Sequence, residues 1–244
     1  MAKKEISFKQ LNMKHGLKDG LPIGLGYLSV SFAFGVQASL LGVPVFMALF
    51  ISMTNLTSAG QLAGLTIIAS VGTILEMILT QLVINARYFL MSITLSQKLD
   101  KGFNFPHRLL ASAFITDEIF AVAAAKPCEL NKKYYYGLVI FPYVGWSLGT
   151  LLGALAGDVL PSQITNALGI ALYAMFIAII VPPSIKNFGV LAAVILSAGI
   201  SCAIFFIPVF SGISSGLAVI ISAIVASAII ALVFPIKQRE GNSV

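Results

Sequence analysis

The sequence contains little charge. Only 10% of its 244 residues are Asp, Glu, Lys or Arg, against about 25% in soluble domains. No charged residue occurs between Asp19 and Glu76 or between Lys186 and Lys237. Hydrophobic residues make up 58% of the chain, and the mean hydropathy is +0.97. Apolar runs of about 18 or more residues can cross a bilayer, so the sequence predicts an all-α integral membrane protein.

Several catalytic motifs are also missing. The chain has neither a GxxxxGK[ST] phosphate-binding loop nor an HExxH zinc motif. The two cysteines, Cys128 and Cys202, lack CxxC spacing and therefore predict neither a metal site nor a disulfide framework. Because the loops and tails are short, we expect no soluble catalytic domain and no cofactor. The formal charge is +6, but the basic residues are scattered among the loops, which indicates membrane orientation and predicts no nucleic-acid partner.

Breaks at Gly, Pro and charged residues predict about eight membrane spans, with seven as the alternative. We expect a retained N-terminal tail at 1–19, a single transmembrane domain at 20–236 and a C-terminal tail at 237–244. The second span contains the polar stretch TNLTSAGQ. This stretch indicates a broken helix around residues 54–64, a re-entrant pair, or tight helix packing. The spans are expected at about 20–42, 44–66, 69–97, 108–126, 133–157, 162–182, 187–208 and 213–235.

The distribution of Lys and Arg predicts that both termini are cytoplasmic, because cytoplasmic loops carry an excess of basic residues. With eight spans, Lys98, Lys101 and Arg108 would lie outside. Seven spans would instead place Lys237 and Arg239 outside. In the eight-span arrangement the cytoplasmic group is Lys3, Lys4, Lys9, Lys14, Lys18, Lys126, Lys132, Lys133, Lys186, Lys237 and Arg239.

Four ionisable residues fall inside predicted spans: Glu76 and Arg87 in the third, Asp117 and Glu118 in the fourth. Such residues usually face a bundle interior or a wet cavity. If the two spans form a hairpin turning near residue 102, Arg87 and Asp117 lie at similar depth. Arg87 is then expected to pair with Asp117 or Glu118, and Glu76 to lie near Lys126.

One arginine does not require two acids, so one carboxylate is left over. Removal from water disfavours the charged form of a carboxyl, and a carboxyl that gains and loses a proton can couple transport to a proton gradient. A purely structural Arg–acid pair is the alternative. The candidate substrate-binding or coupling residues are Asp117, Glu118, Arg87, Asn85, Asn55, Ser58, Gly60 and Gln61.

Four stretches together resemble the AzlC family of branched-chain amino acid permeases. They are GLPIGLGYLSVSFAFG, TSAGQLAG, INARYFLMS and FITDEIFAVA, in that order along the chain. One departure is Ser58-Ala59-Gly60-Gln61, where the family pattern would be Ala-Gly-Ala-Ala-Gln. The resemblance implies export of leucine, isoleucine or valine across a bacterial cell membrane, assisted by a small membrane protein of the AzlD type.

Two other classes of function stay open. An intramembrane enzyme would use two acids that share a proton, although Asp117 and Glu118 diverge from one helix. A non-transporting subunit would scaffold a partner, and its acids would serve assembly alone.

Overall fold

The computed structural model describes residues 11–157, 159–210 and 212–234, and these residues form ten α-helices. Five of those helices, α1, α4, α7, α9 and α10, are long and apolar enough to cross a membrane. The protein is therefore an all-helical, multi-pass membrane protein. The helices are α1 (Met13–Leu40), α2 (Val45–Thr54), α3 (Ser58–Ala69), α4 (Ile74–Ser96), α5 (Phe105–Ser112), α6 (Asp117–Ala124), α7 (Lys132–Ala156), α8 (Ser162–Lys186), α9 (Phe188–Phe206) and α10 (Ser215–Val233).

The helices belong to two compact units. In the described chain, unit 1 comprises residues 11–65 and 84–173, and unit 2 comprises residues 66–83 and 174–234. The predicted C-terminal tail and residues 1–10 of the predicted N-terminal tail lie outside the described residues. Helix α1 already begins at Met13, within the stretch predicted as tail.

The frame of unit 1 is the parallel pair of α1 and α7. Their backbones touch because glycines line the interface: a Cβ on Gly24 would lie 2.5 Å from the Phe141 carbonyl oxygen. Gly16 faces Tyr134, and Gly35 faces Thr150, so both helices run in the same direction. The end of unit 1 where α1 and α7 begin is called end A below, and the end where they finish is called end B.

The fourth predicted span, 108–126, does not cross unit 1. It consists of α5 and α6, separated by residues 113–116, and is called hairpin 2. The residues before α5 and the residues after α6 both lie at end A. The Leu130 N–H donates to the Lys98 carbonyl oxygen over 2.8 Å, and the Lys98 ammonium donates to the carbonyl oxygens of Ala124 and Lys126 over 2.5 Å each. A crossing would separate these groups by about 30 Å, so the predicted crossing is wrong.

The second predicted span, 44–66, is also a pair of helices that returns to the end from which it starts. Helix α2 ends at Thr54, and α3 begins at Ser58, so the predicted break around 54–64 is confirmed. Val43 and Leu65 share one buried cluster with Ala154 near end B, whereas Leu56 at the turn packs with Tyr27 and Trp146. Residues 45–65 are therefore called hairpin 1, and the re-entrant alternative is the correct one.

The two hairpins change the distribution of charge. Lys98, Lys101 and Arg108 were predicted on the side opposite Lys126 and Lys132, and that separation is wrong because hairpin 2 returns to end A. Apart from Arg87, every Lys and Arg in the described part of unit 1 lies at end A. The cytoplasmic location of both termini stays a prediction.

Unit 2 gives Glu76 a partner other than the one predicted. Its carboxylate is buried and accepts the Gly216 N–H at the start of α10 over 3.0 Å. A helix N-terminus stabilises such an anion. Lys126, the predicted partner, instead pairs with Asp19 at 2.7 Å. The prediction failed because it assumed that 108–126 runs antiparallel to α4.

Candidate functional site

The turns of the two hairpins meet at Tyr27, in the middle of α1. Leu56 of hairpin 1 packs against Tyr27 and Trp146, and the Tyr27 hydroxyl lies 2.7 Å from the Thr116 Oγ1 of hairpin 2. The Tyr27 ring stands edge-on to Trp146, with ring centroids 5.1 Å apart. Helices α3 and α6 both begin at these turns. Two helix N-termini, each with partial positive charge, thus lie around the centre of unit 1.

An ion pair joins hairpin 2 to α4. Arg87 Nη1 lies 2.8 Å from Asp117 Oδ2, and both side chains are about one-third exposed, at 38% and 31%. The predicted contact is confirmed, but for a different geometric reason. Helices α4 and α6 run parallel toward end A, since Arg87 meets Asp117 within the helices and Lys98 meets Lys126 just beyond the ends of both.

The Arg87 guanidinium has capacity for a further acceptor. Its Nη2 donates to the Tyr88 hydroxyl over 3.3 Å, while its Nε is buried and has no hydrogen-bond partner among the described residues. A buried donor without a partner is costly. The geometry therefore favours a bound anion, such as a carboxylate, beside Arg87.

Glu118 has a different partner from Asp117. Its Oε2 lies 2.5 Å from the Tyr27 hydroxyl. Thr116, the N-cap of α6, accepts the Ile119 N–H over 3.3 Å and contacts the same hydroxyl. The two adjacent acids thus diverge: one binds a cation on α4 and the other a neutral hydroxyl on α1.

The turn of hairpin 1 is held to α4 by neutral groups. Thr57 Oγ1 lies 3.1 Å from Asn85 Oδ1 and 3.3 Å from the Tyr88 hydroxyl. It also accepts the Gly60 N–H over 3.4 Å. Because Tyr88 contacts Arg87 as well, a chain of hydrogen bonds connects hairpin 1 to the ion pair. The predicted residues Asn85 and Gly60 are therefore connected to Arg87 through Thr57 and Tyr88.

The remaining predicted residues occupy two different surroundings. Asn55 and Ser58 flank the turn of hairpin 1 and are partly exposed. Gln61 is almost fully buried and ties the two arms of that hairpin together. Its amide donates to Ser52 and accepts from the Trp146 Nε1–H, each over 2.7 Å. This arrangement gives Gln61 a packing role in hairpin 1.

Two residues at the centre were missed as site residues. Tyr27 lies in a glycine-flanked apolar stretch, GLGYLS, where a phenol group in mid-helix was the available signal. Thr116 precedes two acids, and Thr-Asp-Glu is a helix-start pattern. That pattern places a helix N-terminus inside the predicted span and could have revealed the break in hairpin 2.

The fold and the partly exposed ion pair define a polytopic membrane protein with a charged centre between two hairpins. The AzlC protein family matches residues 22–160, more than half of the chain. The chain therefore belongs to the AzlC family. The match contains both hairpins, the ion pair, Tyr27 and Trp146.

Relatives with this sequence pattern occur in archaea and bacteria. The chain is 33% identical over 189 residues to an uncharacterized membrane protein of Archaeoglobus fulgidus, covering 76% of this chain and 82% of the relative. It is 29% identical over 170 residues to the inner membrane protein YgaZ of Escherichia coli, covering 67% and 69%. An uncharacterized membrane protein of Helicobacter pylori is 29% identical over 150 residues, covering 58% and 64%. No solved structure matches the chain.

Proposed function

We propose that this protein is a secondary transporter that exports branched-chain amino acids from a bacterial cytoplasm through the inner membrane. The observation that carries the proposal is the Arg87–Asp117 pair at the meeting point of two hairpins, with the Arg87 Nε unpartnered among the described residues. The family resemblance supplies the substrate class. It also supplies the expectation of a small AzlD-type membrane partner.

An amino acid zwitterion has charges that match this centre. Its carboxylate would bind the Arg87 guanidinium, which offers the buried Nε donor. The N-terminus of α3 favours an anion as well, because no acidic residue lies in its first turn. The ammonium group would bind Asp117. The branched side chain would lie against the apolar wall formed by Tyr27, Leu56 and Trp146.

Glu118 is the residue that we propose for proton coupling. Asp117 already neutralises Arg87, and no described cation forms an ion pair with Glu118. Glu118 is exposed and contacts the Tyr27 hydroxyl, so its carboxylate is accessible to a proton. Because Glu118 stands outside the ion pair, it can carry a proton while Asp117 and Arg87 hold the substrate.

The other two classes receive less support. A two-carboxylate enzyme needs acids that share a proton, whereas Asp117 and Glu118 bind different groups on different helices. A scaffold subunit would need Asp117 for assembly alone. The experiment below separates that role from transport, because it measures membrane abundance and partner binding beside efflux.

The test is efflux of leucine, isoleucine and valine from cells preloaded with dipeptides that contain them. Cells would carry empty vector, the chain alone, or the chain with a candidate small partner. Asp117→Asn removes the charge that holds Arg87, and we expect a loss of efflux of roughly tenfold or more, equivalent to about 1.4 kcal/mol. Asp19→Asn is the matched control, since Asp19 forms an ion pair of similar length and exposure at end A.

The proposal predicts that efflux survives Asp19→Asn and is lost in Asp117→Asn at equal membrane abundance. Equal losses of efflux in the two variants would mean that both ion pairs serve folding alone. If no amino acid leaves faster than with empty vector, even with the partner present, the proposed substrate class is wrong. Loss of partner binding in Asp117→Asn without a separate loss of efflux would favour the scaffold.

A further inference from the structure

We propose that the Tyr27 hydroxyl is a positioning group that docks the turn of hairpin 2 onto α1 while Glu118 is charged, and releases it when Glu118 binds a proton. This inference rests on the proposed function, because it assigns the link between proton binding and movement of the substrate site. It goes beyond that function by naming the moving element and the contact that holds it.

The contact is a short chain of hydrogen-bonding groups. Glu118 Oε2 lies 2.5 Å from the Tyr27 oxygen, which lies 2.7 Å from Thr116 Oγ1. Tyr27 has a single hydroxyl proton, so it donates to one of these oxygens at a time. Both acceptors belong to the first turn and cap of α6. Tyr27 therefore binds the place where hairpin 2 turns.

The charge of Glu118 decides the direction of these bonds. When the carboxylate is ionised, Tyr27 donates to it and Thr116 donates to Tyr27. When Glu118 takes a proton from water, its own O–H donates to Tyr27, and Tyr27 donates to Thr116. No O–H bond of Tyr27 breaks, and the proton later leaves Glu118 for water. The contact changes from charge-assisted to neutral, and neutral hydrogen bonds are about half as strong.

The two partners differ in how firmly they are held. Tyr27 lies on α1, whose glycines seat it directly against α7, and its ring is buried against Trp146. Helix α6 has eight residues and follows the non-helical residues 113–116. Ile119 and Ala123 of α6 are buried in one cluster with residues of α7, so a weaker bond at this point frees the turn at residues 113–116 rather than the frame.

Other ionisable groups surround the same turn. Asp117 precedes Glu118 in the first turn of α6, and Arg87 and Tyr88 approach from α4. The described residues of hairpin 1 and α7 that pack here include Leu56, Trp146 and Tyr143, and none of these three is a carboxylate or a cation. Asp117 and Arg87 compensate each other, so the charge that varies at the Tyr27 contact is the charge of Glu118.

The experiment uses the protein in vesicles, with its small partner if efflux requires it. Vesicles loaded with leucine exchange it for labelled leucine at a series of pH values that are equal on both sides. We expect wild-type exchange to accelerate toward acid by roughly fivefold to tenfold, the factor that corresponds to the difference in free energy between a charge-assisted and a neutral hydrogen bond. In Tyr27→Phe and in Glu118→Gln, the rate should no longer depend on pH, because the charge-assisted contact is absent from both.

Tyr143→Phe is the matched control. It also removes one hydroxyl from a packed ring, and that hydroxyl donates to the Met53 carbonyl oxygen over 3.3 Å. Its exchange should keep the wild-type pH profile. The double variant Tyr27→Phe/Glu118→Gln should behave like either single variant, since both remove one shared interaction.

The outcomes separate this inference from the proposed function. Wild-type exchange with an unchanged pH profile in Tyr27→Phe overturns the inference and leaves the exporter intact. Absence of exchange in wild type overturns both. If Tyr27→Phe does not reach the vesicles, Glu118→Gln decides alone, and a persistent acid acceleration in that variant contradicts the proposal.

Discussion

The two hairpins of unit 1 have the same architecture but opposite directions and different chemistry. Hairpin 1 enters from end B and carries neutral groups at its turn, with Thr57 bound to Asn85 and Tyr88. Hairpin 2 enters from end A and carries Asp117 and Glu118. Each begins a helix at the centre, yet only the N-terminus of α6 has acids in its first turn. The comparison teaches that charge is confined to one hairpin, so that hairpin is the candidate for coupling.

The hairpins are also anchored differently. The arms of hairpin 1 are joined through Ser52, Gln61 and Trp146. Hairpin 2 is held from outside: Tyr27 and Arg87 bind it at its turn, Lys98 binds the end of α6, and the Tyr135 hydroxyl donates to the Ala111 carbonyl oxygen. We therefore expect hairpin 1 to behave as part of the frame and hairpin 2 to move more readily. Three substitutions test this difference, and hydrogen exchange of residues 45–65 and 105–124 measures each.

The largest effect is expected from Gly24→Ala, which should disturb both hairpins. The added Cβ would lie 2.5 Å from the Phe141 carbonyl oxygen and force α1 away from α7. Overpacking of this kind costs about 1–3 kcal/mol, so Tm should fall and exchange should rise in both hairpins. Gly26→Ala is the control on the same helix, because nothing lies within 4 Å of its Cβ position. Equal effects of the two substitutions would refute the close-packed frame.

A smaller effect, confined to hairpin 1, is expected from Thr57→Val. Valine keeps the shape and removes the hydroxyl that contacts Asn85, Tyr88 and the Gly60 N–H. The expected loss is about 1 kcal/mol, seen as faster exchange around residues 54–61. Thr57→Ser should restore the bonds. Thr54→Val is the control, since that exposed hydroxyl donates to the Phe50 and Ile51 carbonyl oxygens of its own helix. Faster hydrogen exchange in hairpin 2 alone would contradict the assignment of Thr57 to the stability of hairpin 1.

The smallest effect, confined to hairpin 2, is expected from Lys98→Gln. The ammonium binds two carbonyl oxygens at the end of α6, where a cation stabilises the helix by about 0.3–1 kcal/mol. Exchange should rise modestly over residues 117–124 and stay unchanged over 45–65. The exposed Lys101→Gln provides the control for loss of a basic charge at end A. If the two variants show the same hydrogen exchange, Lys98 is not an anchor of hairpin 2.

Part of this structure could be predicted from the hydropathy of the sequence and from the positions of its polar residues. The long apolar helices, the break near Asn55 and the pairing of Arg87 with an acid were all predicted. The returns of the hairpins were not, because an apolar segment of about 19 residues has the same composition whether it crosses or turns back. The error in direction explains two further failures, the expected contact of Glu76 with Lys126 and the separation of Lys98 from Lys132.

The charged residues of the candidate site were predicted from the sequence, whereas the neutral residues that bind them were not. Arg87 and Asp117 stand out in an apolar segment, since charge there is costly. Tyr27 and Thr116 do not stand out, because hydroxyl-bearing residues are common in membrane helices and their role depends on which helix faces them. Gln61 looked like a site residue on composition, and its contacts with Ser52 and Trp146 became visible only in three dimensions.

The most direct measurement determines from which side of the membrane the residues before and after hairpin 2 can be labelled. Lys101→Cys and Glu129→Cys would be made separately in a chain without Cys128 and Cys202, since both positions are exposed and flank the hairpin. Val159→Cys, exposed at end B, marks the opposite side. A membrane-impermeant thiol reagent should label positions 101 and 129 from one side and position 159 from the other. Labelling of 101 and 129 from opposite sides would contradict a returning hairpin and the charged centre built on its turn.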